Sequence, residues 1–184
     1  MHVLVTRRLT LRPPTPLDAD DIALWLSNWN VARMLARVPF PYHRKDAEEW
    51  IASLAGSPED LVYTIHRERL IGVVAIEGNG PGGWREPLLG YWLAEPWHRR
   101  GFMTEAASAL LAYAFETRGV ETVASSVFVD NPASLRMQER LGFAVTGVGE
   151  MWSRPRGTTV STLTTRLKAA EFHKTLPMPA QSAA

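Results

Sequence analysis

The chain has 184 residues, 46% of them hydrophobic and 21% charged, a balance that suits one globular domain and excludes a disordered chain. A net charge of +1 provides no global field to gather nucleic acid or an anionic membrane, and the lack of cysteine excludes a disulfide scaffold, a thiolate nucleophile and a cysteine-ligated metal. No long apolar run follows the basic residues at the start, and none anywhere approaches the roughly 18 residues of a membrane span, so a soluble protein without a secretory leader is expected.

The run Arg8-Leu9-Thr10-Leu11-Arg12 alternates polar and apolar residues until Pro13-Pro14 stops it, which predicts a strand. Asp18, Asp20 and Asp21 then stand where a helix dipole favours acids, and Ile22, Trp25, Leu26 and Trp29 recur at helical spacing, predicting a helix whose core-facing stripe runs through Trp29. Beyond the turn Pro39-Phe40-Pro41-Tyr42, the spacing of Ala47, Trp50, Ile51 and Leu54 predicts a second helix that ends near Gly56 and Pro58. Residues 61–66, 70–76 and 88–93 are short β-rich runs, and the turn Gly78-Asn79-Gly80-Pro81-Gly82-Gly83 is expected to be mobile.

A third helix carries Met103, Ala107, Leu110, Leu111 and Ala114 on one face and stops at Gly119. Residues 122–129 read as a strand, Asn131-Pro132 opens a helix that Gly142 closes, and residues 143–149 and 158–167 read as two last strands. The proline-containing tail 173–184 is expected to be disordered. The order β-α-α-β-β-β-α-β-α-β-β, without repeat or linker, predicts a single domain over residues 1–172. Its class is α/β (α+β), a mixed sheet with helices on both faces rather than a purely parallel doubly wound one.

Two segments carry chemistry. The strand ending Gly90-Tyr91-Trp92-Leu93 runs into the basic, glycine-containing turn His98-Arg99-Arg100-Gly101 and then a helix. Free amides and partial positive charge at a helix start suit a diphosphate, with Arg99 and Arg100 at the rim, Gly101 permitting close approach and the Thr104 hydroxyl adding a bond. Charge pattern alone weighs that reading equally with a solvated basic turn before an ordinary helix. The second segment is Asp130-Asn131-Pro132-Ala133-Ser134, where Asn131 is also an ordinary helix cap and Ser134 a common first-turn residue.

Taken together, Gly90-Tyr91-Trp92-Leu93, Arg100-Gly101-Phe102-Met103-Thr104-Glu105-Ala106, Asn131-Pro132-Ala133-Ser134 and Arg140-Leu141-Gly142-Phe143 resemble the GNAT N-acetyltransferase superfamily, more narrowly its RimJ/RimL-like branch of ribosomal-protein N-terminal acetyltransferases, in order along residues 8–172. The resemblance implies a mixed, mostly antiparallel central sheet and a cytoplasmic enzyme that moves an acetyl group from acetyl-CoA, without a metal, to a primary amine. The acceptor would be a protein N-terminus or a small molecule, with no nucleic-acid or membrane partner. Relatives of this branch often form a homodimer. The alternative is a non-catalytic acyl-CoA-binding module of the same fold.

By the same resemblance, His98, Arg99, Arg100, Gly101, Phe102 and Met103 form the pyrophosphate turn, followed by Thr104. The strand ending at Leu93 pairs with the pantetheine arm and polarises the thioester carbonyl, Asn131 contacts CoA, and Ser134 supplies a proton to the departing thiolate. The chain departs from the family pattern at His98, where Gln or Arg is usual, at Arg99, where Gly is common, and at Thr159-Val160-Ser161-Thr162, where relatives frequently place an acid. Glu77, Glu95 and Glu150 are then the candidate bases, while His43 and His66 read as surface or satisfied residues. Trp29, Phe40, Tyr42, Trp84 and Trp152 are candidates to line the acceptor pocket, and Trp25 and Trp50 are assigned to the core.

Overall fold

A computed structural model describes residues 2–57, 59–78 and 86–172. Trp84, most of the glycine-rich turn and the tail 173–184 lie outside these described residues. In chain order the elements are β1 (Leu4–Val5), β2 (Thr10–Arg12), α1 (Ala19–Leu26), α2 (Trp29–Ala32), α3 (Arg44–Ser53), β3 (Leu61–His66), β4 (Leu70–Glu77), β5 (Leu88–Leu93), α4 (Phe102–Arg118), β6 (Thr122–Phe128), α5 (Pro132–Leu141), β7 (Ala144–Ser153) and β8 (Thr158–Lys168). The strands form one eight-stranded sheet in the order β1-β2-β3-β4-β5-β6-β8-β7. Its pairs are antiparallel except β5 with β6, so the fold is a mixed, mostly antiparallel α/β sheet. No helix among the described residues is long and apolar enough to cross a membrane.

Helices cover both faces, which explains why β3 and β4 read as continuous apolar runs rather than alternating ones. Leu61, Tyr63 and Ile65 of β3 point into a cluster with Ala106, Ala107, Leu110, Leu111 and Ala114 of α4 and with Met137 and Leu141 of α5. Val62 of β3 and Val73 and Ala75 of β4 face the other way, against Trp50 and Leu54. On that second face, α1 and α3 bury Ile22, Leu26 and Ala47 over Leu70. Each fully buried leucine or isoleucine contributes about 2 kcal/mol, and the alanines of α4 let the helix lie close on the sheet.

Three elements differ from the sequence-based expectation, two through partners distant in the chain and one through a local cap. The first strand is shorter, Thr10–Arg12, because Arg8 turns away to Glu105, and the two-residue β1, too short to show a pattern, pairs with it through Leu4 and Leu11. The helix expected through Trp29 ends at Leu26, where the Asn28 side chain accepts from the Asn30 amide and starts a new turn. Trp29 therefore leaves the core stripe; it is 42% exposed and packs edge-on against Phe40. The strand expected at 143–149 runs on through Glu150, Met151 and Trp152, because Ser161, Val160 and Thr159 of β8 stand opposite them.

Gly142 closes α5 at φ 101, and a Cβ there would lie 2.2 Å from the Glu171 carbonyl oxygen. Gly142→Ala combines a left-handed backbone with a clash against main chain and is expected to cost more than about 2 kcal/mol. A denaturant midpoint within error of wild type at an unchanged m-value would contradict this account of the turn.

Candidate active site

The parallel neighbours β5 and β6 are joined at one register point, Leu88 opposite Ala124, supported by the Ala124 amide donating to the Pro87 carbonyl at 2.8 Å. Beyond it the strands part. The Ala94 amide bonds the Ile71 carbonyl on the β4 side, so by strand alternation the backbone groups of Tyr91 and Leu93 point the other way, into the gap. A cleft of about 1540 Å³ opens there, lined by Gly90, Tyr91, Trp92 and Leu93 on one wall and by Asn131 and Ser134 on the other.

At one end of the cleft stands the turn that leads into α4. Gly101 is the N-cap, at φ 74 and ψ 6, and it has no side chain with which to cap the helix. The first intrahelical bond runs from the Glu105 amide to the Gly101 carbonyl, which leaves the amides of Phe102, Met103 and Thr104 without helical partners. Arg99 adopts φ 60, the one non-glycine positive φ among the described residues. The place where relatives commonly carry glycine thus keeps glycine-like geometry, at a cost of about 1–2 kcal/mol for a side chain with a Cβ.

His98 ties this turn to β5. Its Nε2 lies 2.7 Å from the Leu93 carbonyl, which can only accept, so Nε2 carries the proton and Nδ1 is the nitrogen left for another partner. Arg8, not singled out in the sequence, clamps the turn from the far edge of the sheet. Its Nη1 donates to the Arg100 carbonyl at 3.0 Å, and its guanidinium lies 4.4 Å from the Phe102 ring centre. Arg8 is held in turn by Glu105, 2% exposed, whose carboxylate accepts from Arg8 Nε at 2.6 Å, the Arg8 amide at 2.9 Å and Thr6 Oγ1 at 2.7 Å.

Across the gap, Asn131 caps α5 by accepting the Ser134 amide at 3.2 Å, so the ordinary capping reading holds and its Nδ2 is left for the cleft. Ser134 Oγ lies 2.6 Å from Tyr91 Oη on β5. Behind them Gln138 Nε2 donates to Tyr91 Oη at 3.0 Å and to Ser125 Oγ at 2.9 Å, while Thr165 Oγ1 donates to Gln138 Oε1 at 2.6 Å. Burial pushes the Tyr91 phenol pKa up, against the lowering effect of its bonds to Ser134 and Gln138. Tyr91 and Gln138 were not identified as site residues from the sequence. The available signal was spacing: Gln138 lies four residues after Ser134 and so shares its helix face.

The far half of the cleft is lined by Tyr42, Trp50 and Trp92 with the carboxylates Asp46, Glu49 and Glu77. Of the aromatic residues expected there, Tyr42 lines the cleft, whereas Trp29, Phe40 and Trp152 do not. Trp152 belongs to β7 and is 59% exposed, and Trp50, assigned to the core, also lines the cleft. Among the candidate bases, Glu77 lines the cleft paired with Arg37, and Glu95 lines it with its carboxylate bonded by Asn28 and Asn30, bonds that lower its pKa. Glu150 stands exposed on β7, outside the cleft. Thr162, in the stretch where relatives place an acid, is buried on the cleft wall. His66 is occupied by Thr64 and Asp18, and His43 caps α3.

Burial raises the Glu105 pKa, but its bonds from Thr6 and Arg8 outweigh this and hold it below the ordinary value. The stability it contributes is therefore present above the unfolded carboxyl pKa near about 4.3 and is lost as pH falls through the lower folded value. Glu105→Gln is expected to cost about 2 kcal/mol at pH 7, with the gap to wild type closing as pH drops below about 4. Urea midpoints measured from pH 7 to 3 that keep a constant gap would contradict the clamp.

The family pattern described as the acetyltransferase (GNAT) domain matches residues 8–144. The chain is 36% identical over 153 residues to "Putative ribosomal N-acetyltransferase YdaF" of Bacillus subtilis (strain 168), covering 78% of this chain and 81% of the relative. Among solved structures, the ribosomal-protein-S5-alanine acetyltransferase from Vibrio fischeri superposes with TM-score 0.79 at 14% identity, over 94% of this chain and all of its own. Mycobacterium smegmatis RimJ in complex with CoA-disulfide superposes with TM-score 0.74 at 19% identity, over 92% of this chain and 86% of its own. A cleft at a single parallel strand junction, closed at one end by a glycine-capped helix start, thus accompanies a family match over most of the sequence: the chain belongs to the GNAT acetyltransferase family and is an acyltransferase.

Proposed function

We propose that the protein transfers the acetyl group of acetyl-CoA directly to a primary amine bound in the far half of the cleft. The single observation that carries this reading is the gap between β5 and β6. It leaves the Tyr91 and Leu93 backbone facing the cleft that Ser134 also lines, and leads to the uncapped amides of α4. An extended, amide-bearing arm ending in a diphosphate fits such a groove: the β5 edge supplies strand-like partners and the helix start an anion seat. CoA, bound this way, supplies an activated acetyl thioester.

His98, Arg99, Arg100, Gly101, Phe102, Met103 and Thr104 hold the pyrophosphate, mainly through the free amides of the first helical turn, with Arg99 and Arg100 screening its charge. The Leu93 amide polarises the thioester carbonyl as negative charge gathers on its oxygen. Asn131 contributes its amide nitrogen to CoA, and Ser134 donates a hydrogen bond to sulfur as the C–S bond breaks. The attacking amine must be neutral, so turnover rises with pH toward the acceptor's own pKa. Glu77 and Glu95 are the two candidate bases that line the cleft, and one of them, directly or through water, takes the proton.

The acceptor is a protein N-terminus or a small primary amine. The names of the relatives, a ribosomal N-acetyltransferase and an S5-alanine acetyltransferase, support the former. CoA release from acetyl-CoA, measured with peptides bearing N-terminal alanine or serine and with small primary amines such as spermidine, tests the reading alongside direct acetyl-CoA binding. Binding without release across that panel would mark a non-catalytic CoA-binding module instead.

Two variants separate the parts. Gly101→Asp places a carboxylate and a Cβ on a left-handed turn beside the proposed pyrophosphate and is expected to weaken acetyl-CoA binding at least a hundredfold. Ser134→Ala is expected to lower kcat roughly tenfold with little change in KM for acetyl-CoA. Undiminished affinity in Gly101→Asp would contradict the placement of the cofactor.

A further inference from the structure

We infer that Tyr91 and Gln138 are positioning residues that fix the direction of the Ser134 hydroxyl, so that its proton faces the cleft; this rests on the proposed role of Ser134. The direction follows from a hydrogen-bond count anchored on a backbone carbonyl. Ser125 Oγ lies 2.9 Å from the Leu89 carbonyl and 2.9 Å from the Gln138 amide. The carbonyl can only accept, so Ser125 gives it its single proton and must accept from Gln138. That turns Gln138 Nε2 toward Ser125 and Tyr91 and its Oε1 toward Thr165, whose hydroxyl donates to it at 2.6 Å.

Tyr91 Oη therefore already accepts one bond from Gln138 and has one proton to place. Ser134 Oγ, 2.6 Å away, takes it. Were Ser134 to donate to Tyr91 instead, the phenol proton would be left without an acceptor inside the protein, a costly arrangement. With Ser134 accepting from Tyr91, its own proton is free to turn into the cleft that both residues line. The chain is preorganised from behind: Gln138 is 1% exposed and Thr165 1% exposed, and Thr165 stands opposite Ser125 in the β6–β8 register.

In the transfer, the amine nitrogen forms a bond to the acetyl carbon, and the C–S bond breaks with its electron pair on sulfur. The proton lost by the nitrogen ends in the cleft base or solvent, and solvent finally protonates the thiolate. The Ser134 proton stays on oxygen and is shared with sulfur only while charge builds there. Tyr91 and Gln138 move no proton; they keep that donor aimed.

Tyr91→Phe removes the donor to Ser134. Gln138→Glu keeps the shape but, once ionised, offers Tyr91 an acceptor and draws the phenol proton away from Ser134. With acetyl-CoA and the peptide or amine of the panel that wild type turns over fastest, each variant is expected to lose roughly tenfold in kcat while KM for acetyl-CoA stays within about twofold. Neither is expected to slow Ser134→Ala further, because the hydroxyl they aim is gone. Wild-type kcat in Tyr91→Phe, or a full further loss when it is added to Ser134→Ala, overturns the inference. Wild-type turnover in Ser134→Ala alone removes the proposed role of Ser134 and this inference with it. Tyr91→Phe, which deletes one oxygen, carries the test if Gln138→Glu does not fold.

Discussion

The site depends on one weak junction in an otherwise continuous sheet. β5 is paired along its whole length with β4 but meets β6 at a single register point, so the sheet opens between them. Buried backbone amides and carbonyls left without partners are costly, and β5 turns alternate groups from Tyr91 onward into that opening. An open strand edge of this kind is a ready partner for an extended chain. The gap survives because it is bridged from behind: Ser125 reaches the Leu89 carbonyl, and Gln138 spans from Ser125 to Tyr91. The two half-sheets are held at a fixed separation by side chains where main-chain pairing has ended.

The turn beside the gap is held against its own preference. Arg99 sits in the left-handed region, which costs about 1–2 kcal/mol, and Gly101 follows in the same region. The contacts that outweigh this strain come from both sides. His98 bonds the end of β5, and Arg8, fixed by buried Glu105, bonds the Arg100 carbonyl and stacks on Phe102. A carboxylate that buried is tolerable because Thr6 and Arg8 supply its hydrogen bonds, and the same bonds orient the arginine. The clamp joins the first strands of the chain to the start of α4, so the amino-terminal segment is part of the site rather than an appendage.

The opposite wall is tied down in a similar way. Arg156, from the β7–β8 turn, bonds both carboxylate oxygens of Asp130 and the Arg33 carbonyl, and its guanidinium lies 4.9 Å from the Phe128 ring centre. These bonds hold Asp130 below the usual carboxylate range and fix the residue just before the Asn131 cap. Elements that share no local sequence signal, the α2 segment and the last hairpin, thereby meet at the β6–α5 turn. Arg33, Met34 and Asp130, brought together there, line the cleft.

What the sequence determined by itself was whatever rests on local pattern. The 3.6-residue spacing of Ala107, Leu110, Leu111 and Ala114 defined α4, Gly119 and Gly142 marked helix ends, and Asn131-Pro132 marked a helix start, because caps and periodicity act within a few residues. Order and spacing of the four short motifs pointed to the family and to the residues on both sides of the gap. Only the tertiary structure decided that β7 extends through Trp152 and that Glu150 stands away from the cleft. It alone brought Arg8 and Glu105 to the turn and joined Tyr91, Gln138 and Thr165 behind Ser134. The reason is physical: these bonds link residues tens of positions apart, and their partners are chosen by sheet register and helix packing, which leave no mark on neighbouring positions of the chain.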